Sequence, residues 1–277
     1  VSDAHPLTTG LYVPGDRPDR FGKAVATGAD LVILDLEDAV APAAKAQARA
    51  AVVEWIARGT DARRFVLQVR VNDGDEADLA ALADLVGEAG ARSFEVRLPK
   101  VESLGQLDRV DAALPGVPVT ALIESALGVE RAAEVAAHPS VTRMALGESD
   151  LASELGTRAP DVLQYARIRL LFAARSAALA APMLAAYPAI ADLEGLRADT
   201  ERGREIGWWG RVAIHPSQLA VIASVFAPRD DEVRWAREVL GAVGGGGVAT
   251  LANGEMVDAA MLGRARAILD RASTADA

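Results

Sequence analysis

Eight short apolar runs recur along this chain, each closing on a polar or turn-forming residue. Their near-regular spacing constrains the fold more than any other feature. The runs are LYVPG (11–15), LVILDLED (31–38), FVLQVRVN (65–72), FEVRLPK (94–100), VTALIES (119–125), VTRMALGESD (141–150), MLAAYPA (183–189) and RVAIHPS (211–217). Their closing residues, Pro14, Glu37, Arg70, Lys100, Glu124, Asp150, Tyr187 and His215, follow one another at gaps of 23 to 37 residues. Each gap holds one strand and one helix, and eight such units predict an α/β chain folded as a (β/α)8 TIM barrel. In that fold the active site is built at the C-terminal strand ends, so the closing residues converge on one mouth.

The intervening segments support this reading. Residues 43–58, 75–89 and 102–114 carry apolar residues at i, i+3, i+4 and i+7 with charges between them. Residues 160–180 open on a proline suited to a first helical turn and predict one long helix. After the eighth run the pattern changes: a short helix at 216–225, a second at 229–242, four glycines at 244–247 expected to act as a hinge, an Asn253-Gly254 turn, and an amphipathic helix from about Glu255. The expected organisation is a catalytic barrel over 1–227 and a C-terminal helical extension over 228–277. The extension either caps its own barrel or reaches over a site as an arm, in a neighbouring subunit.

Composition narrows the chemistry. The 277 residues include no cysteine and three histidines, so thiolate metal sites, disulfides and a cysteine nucleophile are excluded, and any metal is held by oxygen or imidazole. A net charge of −10 argues against nucleic acid. The first residues do not read as a signal peptide and no run spans a bilayer, so a soluble cytoplasmic protein without membrane partners is expected. There is no Gly-x-Ser-x-Gly elbow, no GxGxxG and no GxxxxGK[ST], so neither a serine hydrolase nor a nucleotide-phosphate loop is supported.

The mouth residues carry the rest. Glu124 and Asp150 are expected to end adjacent strands five and six, where two carboxylates either bridge a Mg²⁺ ion or stand as separate solvated acids. In LDLEDAV (34–40), alternation points Asp35 and Glu37 to one face; Glu37 and Asp38 then support a metal's waters or simply cap the strand. Arg70 is read as the one cation that an apolar strand carries into the mouth. It suits an anionic substrate or an enolate oxygen, or else an ion pair with the acids nearby. Lys100 has the same two readings, and Pro14 is placed with Arg70 and Lys100 on the substrate side. His215 reads first as a hydrogen-bonded structural residue.

At these residues the chain resembles the citrate lyase beta-subunit-like family, which includes malyl-CoA and citramalyl-CoA lyases. The matching pieces include LYVPGDRPDRFGKA (11–24), GADLVILDLEDAVAPAAKAQAR (28–49), LPKVES (98–103), ALIESALGV (121–129), LGESDLASELG (146–156), AIHPSQL (213–219) and NGEMVDAAML (253–262). They follow the family's order over nearly the whole chain. The resemblance implies a Mg²⁺-dependent enzyme with Glu124 and Asp150 as ligands, Arg70 at the thioester or enolate oxygen, and Asp258 delivered by a neighbouring subunit's arm, commonly in a homotrimer. One departure stands out: many members have Arg-Ser where this chain has Thr8 and Thr9.

The implied reaction is a retro-Claisen cleavage of a carboxylated 3-hydroxyacyl-CoA, of malyl-, citramalyl- or citryl-CoA type, to acetyl-CoA and a 2-keto acid, with Asp258 as general acid. Alternatives are a malate or citramalate synthase that hydrolyses the thioester, a subunit of a citrate lyase complex, a non-catalytic barrel, and a metal-dependent aldolase acting on free pyruvate.

Overall fold

The computed structural model describes residues 7–59, 65–89, 93–243 and 247–275. They divide into two compact units, one running to Val225 and the other from Phe226.

The first unit is built on seven parallel strands: β1 (Thr9–Pro14), β2 (Leu31–Asp35), β3 (Val66–Arg70), β4 (Glu95–Leu98), β5 (Val119–Ile123), β6 (Val141–Leu146) and β7 (Arg211–Ala213). Their order in the sheet is β6-β5-β4-β3-β2-β1-β7. Every residue of β2 and of β5 is buried, as expected for a parallel strand covered on both faces. Consecutive strands are joined through helices whose starts the sequence marks locally. Ser103 and Gln106 form a capping box before Leu104–Ala113. Ser125 accepts a hydrogen bond from the Gly128 amide to cap Ala126–Glu130. Pro160 occupies the first turn of Pro160–Ser176, which ends four residues short of the expected 180.

The seventh expected strand is not formed as a strand. At 183–184 there are two isolated parallel bridges, Ala145 to Met183 and Leu184 to Arg211. The Leu184 amide donates to the Gly210 carbonyl, and the Leu184 carbonyl accepts from the Val212 amide. Pro182 and Pro188 flank this piece, and a proline can donate nothing to a ladder, so pairing is held to two residues.

Register sets the level of each side chain. Pro14 lies beside Asp35, Asp35 beside Arg70, Arg70 beside Arg97, and Arg97 beside Thr120. One rung across five strands thus carries an acid and two arginines.

The second unit contains the helices Asp230–Val243 and Leu262–Ala275 and a two-residue hairpin, β8 (Ala249–Thr250) with β9 (Met256–Val257). Its own core includes Ala236, Val239, Leu251, Val257 and Ile268. Trp235 donates from its indole to Glu255 (3.0 Å) and lies under the Arg264 guanidinium. The Asn253-Gly254 turn closes the hairpin, so the last helix starts at Leu262 rather than near Glu255. Of the glycine hinge, residues 244–246 lie outside the described residues.

Candidate active site

The C-terminal ends of β1 to β6 surround a cavity of about 370 Å³, whose walls include Tyr12, Asp35, Arg70, Arg97, Glu124 and Asp150. Leu122, Ala145, Met183 and Val212 supply its apolar wall.

Arg70 is the hub of the charged side. Its Nε and Nη2 donate to the two oxygens of Asp35 at 2.7 and 2.6 Å. Its Nη1 lies 2.9 Å from Glu37 Oε2 and donates to Asp38 at 3.2 Å. The Glu37 contact has ion-pair distance without hydrogen-bond direction, and that buried oxygen has no hydrogen-bond partner. Burial alone would lower the Arg70 pKa, but the Asp35 hydrogen bonds and the surrounding charges outweigh it and raise it. Asp35 also accepts from the amides of Glu37 and Ala39, so one carboxylate holds both the arginine and the loop after β2. Lys45 Nζ ties the same loop to Asn72, donating to the Leu36 and Glu37 carbonyls.

Glu124 follows β5 directly and is buried. Its Oε1 accepts from the Lys100 amide at 2.8 Å. Burial pushes its carboxyl up to about 8; the Lys100 amide opposes this, and the charges of Glu37 and Asp150 add to it. Gly147, between β6 and the helix Glu148–Leu155, leaves the room this carboxylate occupies: a Cβ there would overlap Glu124 Oε2 and stand 2.8 Å from Glu124 Cβ. Asp150 does not end strand six. That strand stops at Leu146, and Asp150 sits exposed in the first turn of the following helix, where an acid suits the positive end of the helix dipole. It still lines the same cavity as Glu124.

The other expected residues take varied places. Lys100 Nζ reaches Glu37 Oε1 at 2.7 Å, which raises the Lys100 pKa. Lys100 and Pro14 are not among the described residues lining the cavity; Pro14 ends β1 and accepts from Arg17 in the following turn. His215 Nδ1 accepts from the Ser217 amide and caps the turn after β7. Thr8 and Thr9, where many resembling chains have Arg-Ser, anchor the start of β1: both amides donate to Asp30, at 2.9 and 2.8 Å. Asp258 belongs to the second unit. It precedes the last helix rather than standing on its face, and accepts from the Ala260 amide at 2.9 Å to cap a short turn.

Two cavity residues escaped the sequence reading. Arg70 is not the only cation carried into the mouth: Arg97 is buried beside it. Tyr12 lies between the two, its ring centre 5.1 Å from the Arg70 and 5.6 Å from the Arg97 guanidinium carbon. A larger neighbouring cavity, about 630 Å³, shares Glu148, Ser149 and Ala186 with the first. Its buried arginines are matched by acids, Arg167 by Glu148 and Asp199, and Arg211 by Asp199.

Among the described residues no three acids or histidines come together as a metal cage. Magnesium, however, takes one or two carboxylates and keeps several waters. A buried carboxylate with a raised pKa, lining one cavity with a second acid, has the chemistry of such a donor pair.

Parallel strands with acids and arginines gathered at their carboxyl ends define an α/β protein of the class in which ligands bind at those ends. No helix among the described residues is long and apolar enough to cross a membrane. This chain belongs to the HpcH/HpaI aldolase/citrate lyase family, whose sequence profile matches residues 8–216. It is 39% identical over 246 residues to a (3S)-malyl-CoA thioesterase of Cereibacter sphaeroides, covering 86% of this chain and 84% of that one. It is 33% identical over 305 aligned positions to an L-malyl-CoA/beta-methylmalyl-CoA lyase of the same organism, covering 97% and 95%. Among solved structures it is similar to the protein CitE of Mycobacterium tuberculosis in complex with magnesium, acetoacetate and coenzyme A. There the identity is 36%, the coverage 99% of this chain and 100% of that one, and the TM-score 0.80. The named relatives are thus enzymes acting on CoA thioesters, and the solved relative carries magnesium.

Proposed function

We propose that this chain is a magnesium-dependent lyase that cleaves a carboxylated 3-hydroxyacyl-CoA to acetyl-CoA and a 2-keto acid. The observation that carries this reading is Glu124, a buried carboxylate with its pKa pushed up to about 8, on a cavity shared with Asp150 and Arg70. Sheet closure into an eight-membered barrel belongs to the same reading and is supported by the bridges at Met183 and Leu184.

Glu124 and Asp150 would hold the metal. When bound, magnesium supplies a Lewis acid for the substrate's hydroxyl and carboxylate, lowering the hydroxyl pKa. The chain's own residues do the rest. As the hydroxyl proton passes to solvent and the bond between C2 and C3 breaks, the hydroxyl oxygen's electrons form the 2-keto carbonyl and the C2–C3 pair moves to the thioester carbonyl oxygen. Arg70 stabilises that oxygen as an enolate, its guanidinium held in place by Asp35. Asp258, from a neighbouring subunit's C-terminal unit in a homotrimer, protonates the enolate carbon to give acetyl-CoA. Glu37 and Asp38 keep Arg70 charged and oriented, and Lys100 neutralises Glu37.

The 39% identity to a named thioesterase favours a second reading, in which the thioester itself is hydrolysed. One assay separates the two. Malyl-, citramalyl- and citryl-CoA are supplied with Mg²⁺, and keto acid and free thiol are followed together. Keto acid without thiol supports cleavage. Thiol without keto acid supports hydrolysis, and neither product from any of the three defeats both readings.

A further inference from the structure

The two arginines of the rung differ in one respect. Arg70 faces three carboxylates, Asp35, Glu37 and Asp38. Arg97, its neighbour in register, is 2% exposed and, among the described residues, forms no ion pair. Its hydrogen-bond partners among the described residues are neutral: Nε donates to Gln68 Oε1 at 2.9 Å, and Nη1 lies 3.4 Å from the Tyr12 hydroxyl. Glu95, two residues earlier on β4, is engaged elsewhere, by Gln68 at 2.8 Å and by Arg143 at 3.6 Å. A buried guanidinium beside a second guanidinium, with no carboxylate paired to it among the described residues, is costly unless an anion arrives.

Its setting is rigid. The Gln68 amide donates to Glu95 and to Thr120, which turns its oxygen toward Arg97 and fixes the Arg97 Nε edge. Arg97 lines the cavity together with Leu122 and Ala145. Gln68 lies one inward position below Arg70 on β3, so Arg97 is drawn toward the closed end of the cavity. A CoA thioester must leave its long arm in solvent. The part of the substrate that reaches the closed end is therefore the small keto-acid half.

We propose that Arg97 is a specificity-determining residue that takes a second carboxylate on the keto-acid half. The substrate class is then a thioester whose keto-acid product is a dicarboxylate, as in citryl-CoA, rather than one releasing glyoxylate or pyruvate. This rests on the function proposed above and narrows it.

Citryl-CoA and citramalyl-CoA differ by one carboxylate, a carboxymethyl in one replaced by a methyl in the other, and so isolate the Arg97 contact. The experiment measures kcat/KM for both with Mg²⁺, in the wild type, Arg97→Met and Arg97→Lys. Calorimetric binding of oxaloacetate and pyruvate to the same proteins gives a readout independent of turnover. The wild type should favour citryl-CoA, and oxaloacetate over pyruvate, by on the order of 10²-fold, the worth of a charge-assisted hydrogen bond to the second carboxylate. Arg97→Met should cost citryl-CoA cleavage far more than citramalyl-CoA cleavage and so erase both preferences. Arg97→Lys should restore part of each. A wild type that favours citramalyl-CoA overturns the proposal. So does Arg97→Met lowering both substrates equally with an unchanged melting temperature, or equal keto-acid binding throughout. If Arg97→Met does not fold, the wild-type ratios and Arg97→Lys still decide. No cleavage or hydrolysis of either thioester by the wild type would instead sink the function on which this rests.

Discussion

Arg70 grips Asp35 by both edges of a planar fork, at 2.7 and 2.6 Å, and Asp35 is almost wholly buried. A lysine at this position would keep the charge but lose the fork. Arg70→Lys should therefore lower turnover by on the order of 10²-fold or more with a modest change in substrate binding. Arg70→Met should also destabilise the fold by about 3–5 kcal/mol, because it strands the buried Asp35. Steady-state kinetics and urea melts check the pair. Unchanged turnover in the lysine variant would reduce Arg70 to an ion-pair partner.

Gly147 gives Glu124 its space, since a Cβ there would overlap the carboxylate. Gly147→Ala should displace that carboxylate and weaken magnesium binding by about tenfold or more, at an overpacking cost of roughly 1–3 kcal/mol. Magnesium titration by calorimetry reads this directly. An unaltered affinity would separate Gly147 from the metal site.

The raised Glu124 carboxyl makes metal-free stability depend on pH. Its folded value of about 8 lies above the ordinary 4.5, burial being the main cause. The native state therefore holds this proton more tightly than the unfolded chain, and stability falls as pH rises between those values, by up to about 1.4 kcal/mol per unit. Metal-free wild type should lose more stability than Glu124→Gln between pH 5 and pH 8. Magnesium should restore the wild type at pH 8 and do nothing for the variant, which should also be inactive. Parallel slopes for the two metal-free proteins would refute the assignment.

Asp258 is tested by mixing. Asp258→Ala and Glu124→Ala should each be inactive alone. Subunits exchanged between them should recover part of the activity, because some sites then pair an intact strand-end set with an intact Asp258. No recovery despite demonstrated exchange would place Asp258 on its own subunit's site or outside the mechanism.

Much of this site could be read from residue order. Alternation in LDLED places Asp35 and Glu37 on one face, and both meet Arg70. Glu124 ends a fully buried run and needed no more than that. Asp150 was misplaced because VTRMALGESD reads as one run, whereas Gly147 ends the strand and lets the acids begin a helix. The piece at 183–184 pairs over two residues, too short for any periodic signal. Arg97 was overlooked for a different reason. Its inward position follows from the same alternation that reveals Asp35, but barrel interiors are usually filled by branched apolar side chains. A polar layer of Gln68, Glu95, Arg97 and Thr120 becomes visible only when four hydrogen-bonded partners on three strands are seen together.

Lys100 has a left-handed backbone, with φ at 52°, which is unusual for a residue with a side chain. That turn lets its amide serve Glu124 while its ammonium serves Glu37. One residue is thus a shared joint for acids that follow two different strands. A ligand that draws the ammonium away from Glu37 pulls on the same residue whose amide steadies Glu124. The ends of β2, β4 and β5 then respond to an arriving anion as one mechanical part rather than three.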